Sequence, residues 1–300
     1  AGYMFNTHQS QPDLAVPHID AAIAAAEMSG DAAMRRTAIE LKISRLEAAG
    51  FYDEMGGLIE ELRATERELG TFSRMGVARV TADYHFAMAH RAENIAEVDA
   101  LMAMAEPMGP HNRTHAWNQA TELYIALGDW PRVKDLARAT AKLLRDSPGT
   151  AFCVAAANIL RDGAIAHALE GEREDALALM AVYVTDEVDR DIALAAPRAL
   201  LGFASPETDA KLAAKARSWW SWCQAAFRAV VLQRPEDAES AIARMGGVVE
   251  HAVAYRALAD GIREAVAEMR GGSAASYASL ERIGYRGWIE MLRRRVKAEY

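Results

Sequence analysis

The sequence predicts an all-α protein, a single α-solenoid of stacked antiparallel helix hairpins over residues 1–300, with about seven helix pairs. Three observations predict it. Alanine, leucine, glutamate and arginine dominate, while β-branched and aromatic residues are sparse, a bias that favours helix throughout. Apolar residues recur at spacings of three and four, as in Ile39, Ile43, Leu46 and Leu58, Ile59, Leu62, and no stretch alternates as a strand does. Turn signals cut the chain into helix-length pieces whose spacing suits stacked pairs. Three hundred residues also exceed what one compact core serves, unless that core is drawn out along a repeat.

In chain order, residues 1–12 read as an irregular segment before the first helix. Ala49-Gly50, followed by FYDEM, closes the first hairpin, and Arg91-Ala92-Glu93-Asn94 separates two apolar-periodic runs. Leu127-Gly128-Asp129, Glu170-Gly171-Glu172, Gln233-Arg234-Pro235 and Arg270-Gly271-Gly272 mark the later turns. Weaker breaks fall at Gly70, Pro107 to Pro110, Ser147-Pro148-Gly149 and Ser205-Pro206. Short loops force antiparallel neighbours, and a row of hairpins buries the apolar face that one alone cannot. Residues 273–300 read as helices that cap the open end of the stack.

The formal charge is −8, from 34 basic and 42 acidic side chains, which disfavours a phosphate backbone as partner. The one dense basic run, Arg293-Arg294-Arg295 with Lys297, suits the negative end of the last helix dipole. Cys153 and Cys223 lie in apolar helical stretches and read as free thiols of a cytoplasmic protein. No apolar run approaches the ~20 residues that cross a bilayer, so neither membrane nor nucleic acid is expected as partner. A start at Ala1 without Met reads as a piece of a longer polypeptide.

One unit carries a closer signature. AWNQATELYIALGDWPRVKDLARATAKLLRDSP, residues 116–148, resembles a tetratricopeptide repeat. Trp117 and Tyr124 stand at that motif's tryptophan and tyrosine, and Gly128-Asp129-Trp130 at its Gly-Asp-aromatic turn. Ala120-Thr121 in place of Leu-Gly, Val133 in place of a small residue and a late Pro148 depart from it. The next unit keeps Gly163-Ala164, Gly171 and Ala176, and Gly50-Phe51-Tyr52 repeats the turn near the N-terminus. SYASLERIGYRGWIEMLRRRV, through Leu280, Gly284, Trp288 and Leu292, is similar to the closing helices of tetratricopeptide-like regions in bacterial multidomain signalling regulators.

The resemblance implies a concave groove lined by one stripe of each first helix. In RSWWSWCQAAFRAV, residues 217–230, it makes Trp222 core, places Trp220 on the groove stripe with Cys223 and Phe227, and sets Trp219 against the preceding hairpin. The same stripe selects His115, Asn118 and Glu122, then Asn158 and Arg161, and near the N-terminus Glu40, Ser44 and Glu47. The repeated Lys and Asn pattern that clamps a C-terminal carboxylate in some such domains is missing.

Other constellations are weaker. His111 and His115, four apart, could share a helical face with Glu122 and bind zinc, but no flanking general base or cysteine pair accompanies them, and no metal or cofactor is expected. The carboxylates of TDEVDRD, residues 185–191, fit helix capping, and His85 and His90, five apart, do not align. No GxSxG, P-loop or dinucleotide fingerprint occurs. The expected function is therefore a non-catalytic scaffold. Its groove, with His115, Asn118, Glu122, Asn158, Arg161, Trp220 and Phe227, binds a protein segment or another domain of the parent chain. A small-molecule effector such as a sugar in the same groove is the alternative, and an all-helical enzyme using the His115–Glu122 face the third.

Overall fold

The computed structural model describes residues 12–65, 70–146, 153–182, 190–203, 205–215 and 218–296. Among these, 81% are helical and none lies in a strand, so the chain is all-α. The irregular segment expected over residues 1–12 lies outside the described residues except for Pro12, as do most of the acidic run at 185–191, the 147–149 break and Lys297.

Helices α1 (Pro12–Ser29) and α2 (Ala32–Ala49) form the first hairpin. Asp31 caps α2, its Oδ1 accepting from the amides of Ala33 at 2.8 Å and Met34 at 3.1 Å. Gly50 ends it at φ 82°, with the amides of Gly50 and Phe51 returning to Glu47 and Leu46. A 3-10 turn (Tyr52–Glu54) leads into α3 (Gly56–Ala64). Then follow α4 (Thr71–Ala87), α5 (Arg91–Ala105), α6 (Pro110–Leu127), α7 (Trp130–Asp146), α8 (Val154–Leu169) and α9 (Arg173–Ala181). Short α10 (Arg190–Ala193) and α11 (Ala195–Leu200) precede α12 (Pro206–Lys215), α13 (Trp219–Val231) and α14 (Pro235–Ala243). Most helices up to α9 pack on near neighbours in sequence, α8 is seated among α6, α7, α9 and α11, α10 packs on α12, and α11 packs on α13 and α8. Two- and three-residue links at Gly30-Asp31, Gly128-Asp129 and Glu170 to Glu172 make these pairs hairpins.

The C-terminal helices make contacts far back in the sequence. Helices α15 (Gly247–His251), α16 (Val253–Met269), α17 (Ala278–Ile283) and α18 (Arg286–Arg293) turn back across the molecule. There α15 meets the 3-10 turn, α16 meets α4, and α18 meets α6 and α13. Residues 273–300, expected to cover an open end, are placed otherwise: α17 packs on α16 and α18, and α18 packs on α6, α13 and α16. The reason is apolar. Tyr285, Ile289 and Leu292 are buried, and Tyr285 stacks on Phe86 at 5.3 Å between centroids while its hydroxyl donates to the Phe86 carbonyl at 3.0 Å. Trp130, at the start of α7, donates from Nε1 to Glu290 at 2.6 Å.

One large core runs from Phe86 to Leu292, spanning α4 to α18. A second joins Ile39, Ile43, Tyr52 and Ile59 of the N-terminal end to Met245, Val248 and Ala252. At their junction a Cβ on Gly50 would lie 2.7 Å from the Val248 amide nitrogen, so this turn glycine also admits α15.

Candidate functional site

Helices α2, α4, α6, α8 and α13 bring one set of side chains together. From α2 comes Glu47, from α4 Arg79 and Asp83, from α6 Asn118 and Glu122, from α8 Asn158 and Arg161, and from α13 Trp220 and Cys223. Arg79 bridges the first two helices, 4.0 Å from Glu47 and 2.8 Å from Asp83. Asn118 donates to Glu122 at 3.1 Å, one helical turn apart. Arg161 is held on three sides: Nε donates to Asp162 at 2.6 Å, a terminal nitrogen donates to Asn158 at 2.9 Å, and the guanidinium lies 4.8 Å from the Trp220 ring centre.

Four carboxylates (Glu47, Asp83, Glu122, Asp162) face two guanidiniums (Arg79, Arg161), so the wall is acidic. Burial raises the Glu122 carboxyl to about 7, helped by the nearby Asp162 charge and opposed by Arg161 and the Asn118 hydrogen bond. Burial likewise raises Asp83 well above the usual carboxylate range against the pull of Arg79, and raises Asp162 against Arg161. Opposite stand Tyr52 and Tyr255, whose phenols are pushed up by burial and by these same acids. Burial also pushes the Cys223 thiol up to about 12, which leaves it protonated and unreactive. Glu122, Asn158, Trp220, Cys223 and Tyr255 all keep partial exposure, so the wall is accessible rather than sealed.

The predicted residues are thus placed as follows. Asn118, Glu122, Asn158, Arg161 and Trp220 share this wall, as their common stripe requires. Phe227 does not reach a free groove; it is 6% exposed inside the large core, because α11 and α14 cover that end of α13. Trp222 is not hidden: it is half-buried against both cores, under the Arg244 guanidinium at 4.7 Å, and lines a cavity of about 180 Å³ with Asp209, Arg228 and Arg234. Trp219 passes over the preceding hairpin and packs on the far end of the chain. It donates from Nε1 to the Glu47 carbonyl at 3.3 Å and meets Tyr52 and Tyr255 at centroid distances of 6.3 and 4.7 Å.

His115 sits at the N-terminal end of α6 beside His111, ring centres 4.6 Å apart. Its close neighbour from outside the helix is Cys153, at the start of α8. His85 and His90 do align, Nδ1 to Nδ1 at 3.2 Å, because Ala89 takes a left-handed conformation (φ 59°) and folds His90 back over the helix end. His167 gathers with Glu172 and Asp175, but Lys134 already occupies that cluster through ion pairs to Glu170 and Glu172.

Sequence reasoning missed Arg79, Asp83 and Tyr255. Arg79 and Asp83 carry a signal that could have found them: an i, i+4 ion pair on the stripe that continues Glu47. Tyr255 had none, since only the return of α16 brings it here. Searches against family models, curated proteins and solved structures find no match.

Proposed function

We propose that this chain is a non-catalytic interaction module, an α-solenoid of the tetratricopeptide-like kind, whose inner wall holds a protein segment carrying basic residues. The observation behind this reading is the convergence of Glu47, Asp83, Asn118, Glu122, Asn158, Arg161 and Trp220 from α2, α4, α6, α8 and α13. A repeat that keeps one register collects such a stripe on one face. Lysine or arginine side chains would pair with the excess carboxylates, and the free face of Trp220 would take an apolar or cationic group.

A second reading is an effector-sensing domain of a regulator. Tyr52, Trp219 and Tyr255 crowd one side of the wall, and aromatic faces near a carboxyl suit a small cationic or hydroxyl-rich molecule. Titration with lysine- and arginine-bearing peptides, beside a thermal-shift screen of small metabolites, separates the two. Basic peptides should bind more weakly as salt rises, and Trp220→Ala should cost about 2 kcal/mol or more of binding energy. A metabolite at 100-fold over its Kd would instead add ~2.7 kcal/mol of stability. Peptides that bind Trp220→Ala and Glu122→Gln as tightly as the parent would remove this wall from consideration.

A further inference from the structure

We infer that His111, His115 and Cys153 form a zinc site at the junction of α6 and α8. The ligand atoms of all three lie within 4.8 Å of one another. Donors around a four-coordinate zinc are about 3.3–3.8 Å apart, given bonds of about 2.0–2.3 Å, so closure needs about an ångström of side-chain movement. The two histidines supply the i, i+4 pair that places imidazoles on one helical face. Cys153 adds a soft third ligand from an independent element, 38 residues beyond His115 in sequence and directly N-terminal to α8.

The surroundings suit the assignment. Thr114 donates to the His111 carbonyl at 2.7 Å, and its oxygen lies 3.7 Å from Cys153 Sγ, so the same hydroxyl orients both elements. His111 is exposed and Cys153 is 9% exposed, so an ion can enter from solvent on the His111 side and meet the thiol at the inner end. On binding, the thiol proton passes to solvent, both imidazoles coordinate as neutral ligands, and water fills the fourth position. Two His and one Cys with an open position favour zinc over calcium or magnesium, which take oxygen donors. This site stands apart from the acidic wall and does not depend on its role.

The test is metal titration of the full chain. Zinc should bind in one equivalent, read by competition with a chromophoric chelator. Cobalt should give tetrahedral visible bands together with a sulfur-to-cobalt charge-transfer band. Cys153→Ser should abolish that band and, like His115→Ala, weaken zinc by more than about tenfold, while Cys223→Ser should leave both unchanged. Zinc should also protect Cys153 from alkylation, a readout on the parent chain that needs no variant to fold. A chain that takes up no zinc, a charge-transfer band that survives Cys153→Ser, or alkylation of Cys153 that zinc does not slow would each overturn the site.

Discussion

Gly128 and Gly287 meet back to back, the end of α6 against the start of α18: a Cβ on Gly287 would lie 2.6 Å from the Gly128 amide nitrogen, and closer still to the Ile125 carbonyl. Arg286 reinforces the contact by donating to the Leu127 carbonyl at 2.6 Å. Backbone cannot step aside as a flexible side chain does. Gly287→Ala should therefore destabilise the protein by about 1–3 kcal/mol in equilibrium denaturation. Gly76→Ala is the control, in the middle of α4 with nothing within 4 Å of the new methyl, and should add about 0.5–1 kcal/mol.

The return of the C-terminal helices makes them part of the core. A chain ending at Gly272 would uncover Phe86, Tyr255 and the α6 face beneath α18. It should lose cooperative unfolding and expose apolar surface to a hydrophobic dye, whereas removal of a mere end cap would leave the remaining hairpins folded.

Tyr285 anchors that return twice, through its ring and through its hydroxyl. Tyr285→Phe keeps the stack on Phe86 but leaves the Phe86 carbonyl without this donor in a buried setting. Because the Phe86 carbonyl still accepts from the Ala89 amide, the expected cost is about 0.5–1.5 kcal/mol, read from the shift of the denaturation midpoint at constant slope.

Glu122 links the wall to pH. Its folded carboxyl titrates near 7, above the unfolded value, so the folded state keeps the proton that the unfolded chain releases. The destabilising contribution is absent below about pH 4.5, grows as pH rises toward 7, and is constant above. Asp83 and Asp162 are shifted in the same direction. Glu122→Gln should accordingly raise Tm by a few degrees at pH 8 and leave it nearly unchanged at pH 4. Basic-peptide affinity in the parent should rise between pH 6 and 8 as the carboxylate forms, and Glu122→Gln should flatten that rise.

The sequence by itself determined the all-α class, the turns at Gly50, Gly128, Glu170 to Glu172 and Gln233-Arg234, and the helical stripe on which Asn118, Glu122, Asn158, Arg161 and Trp220 lie. It could do so because these rest on local chemistry: propensity, turn residues such as Gly50 and Gly128, and the 3.6-residue period along each helix. It also marked Gly163, which abuts Ala137 of the preceding helix. Only the tertiary structure decided that α15 meets the 3-10 turn, that α16 meets α4 and that α18 meets α6 and α13. The same return takes Trp219 to the far end of the chain, while contacts at either end of α13 half-cover Trp222 and bury Phe227. Cys153, not Glu122, joins His111 and His115. Each of these depends on contacts between residues far apart in the chain, where the winner is set by total apolar burial, and a residue's own neighbours in sequence carry no record of that sum.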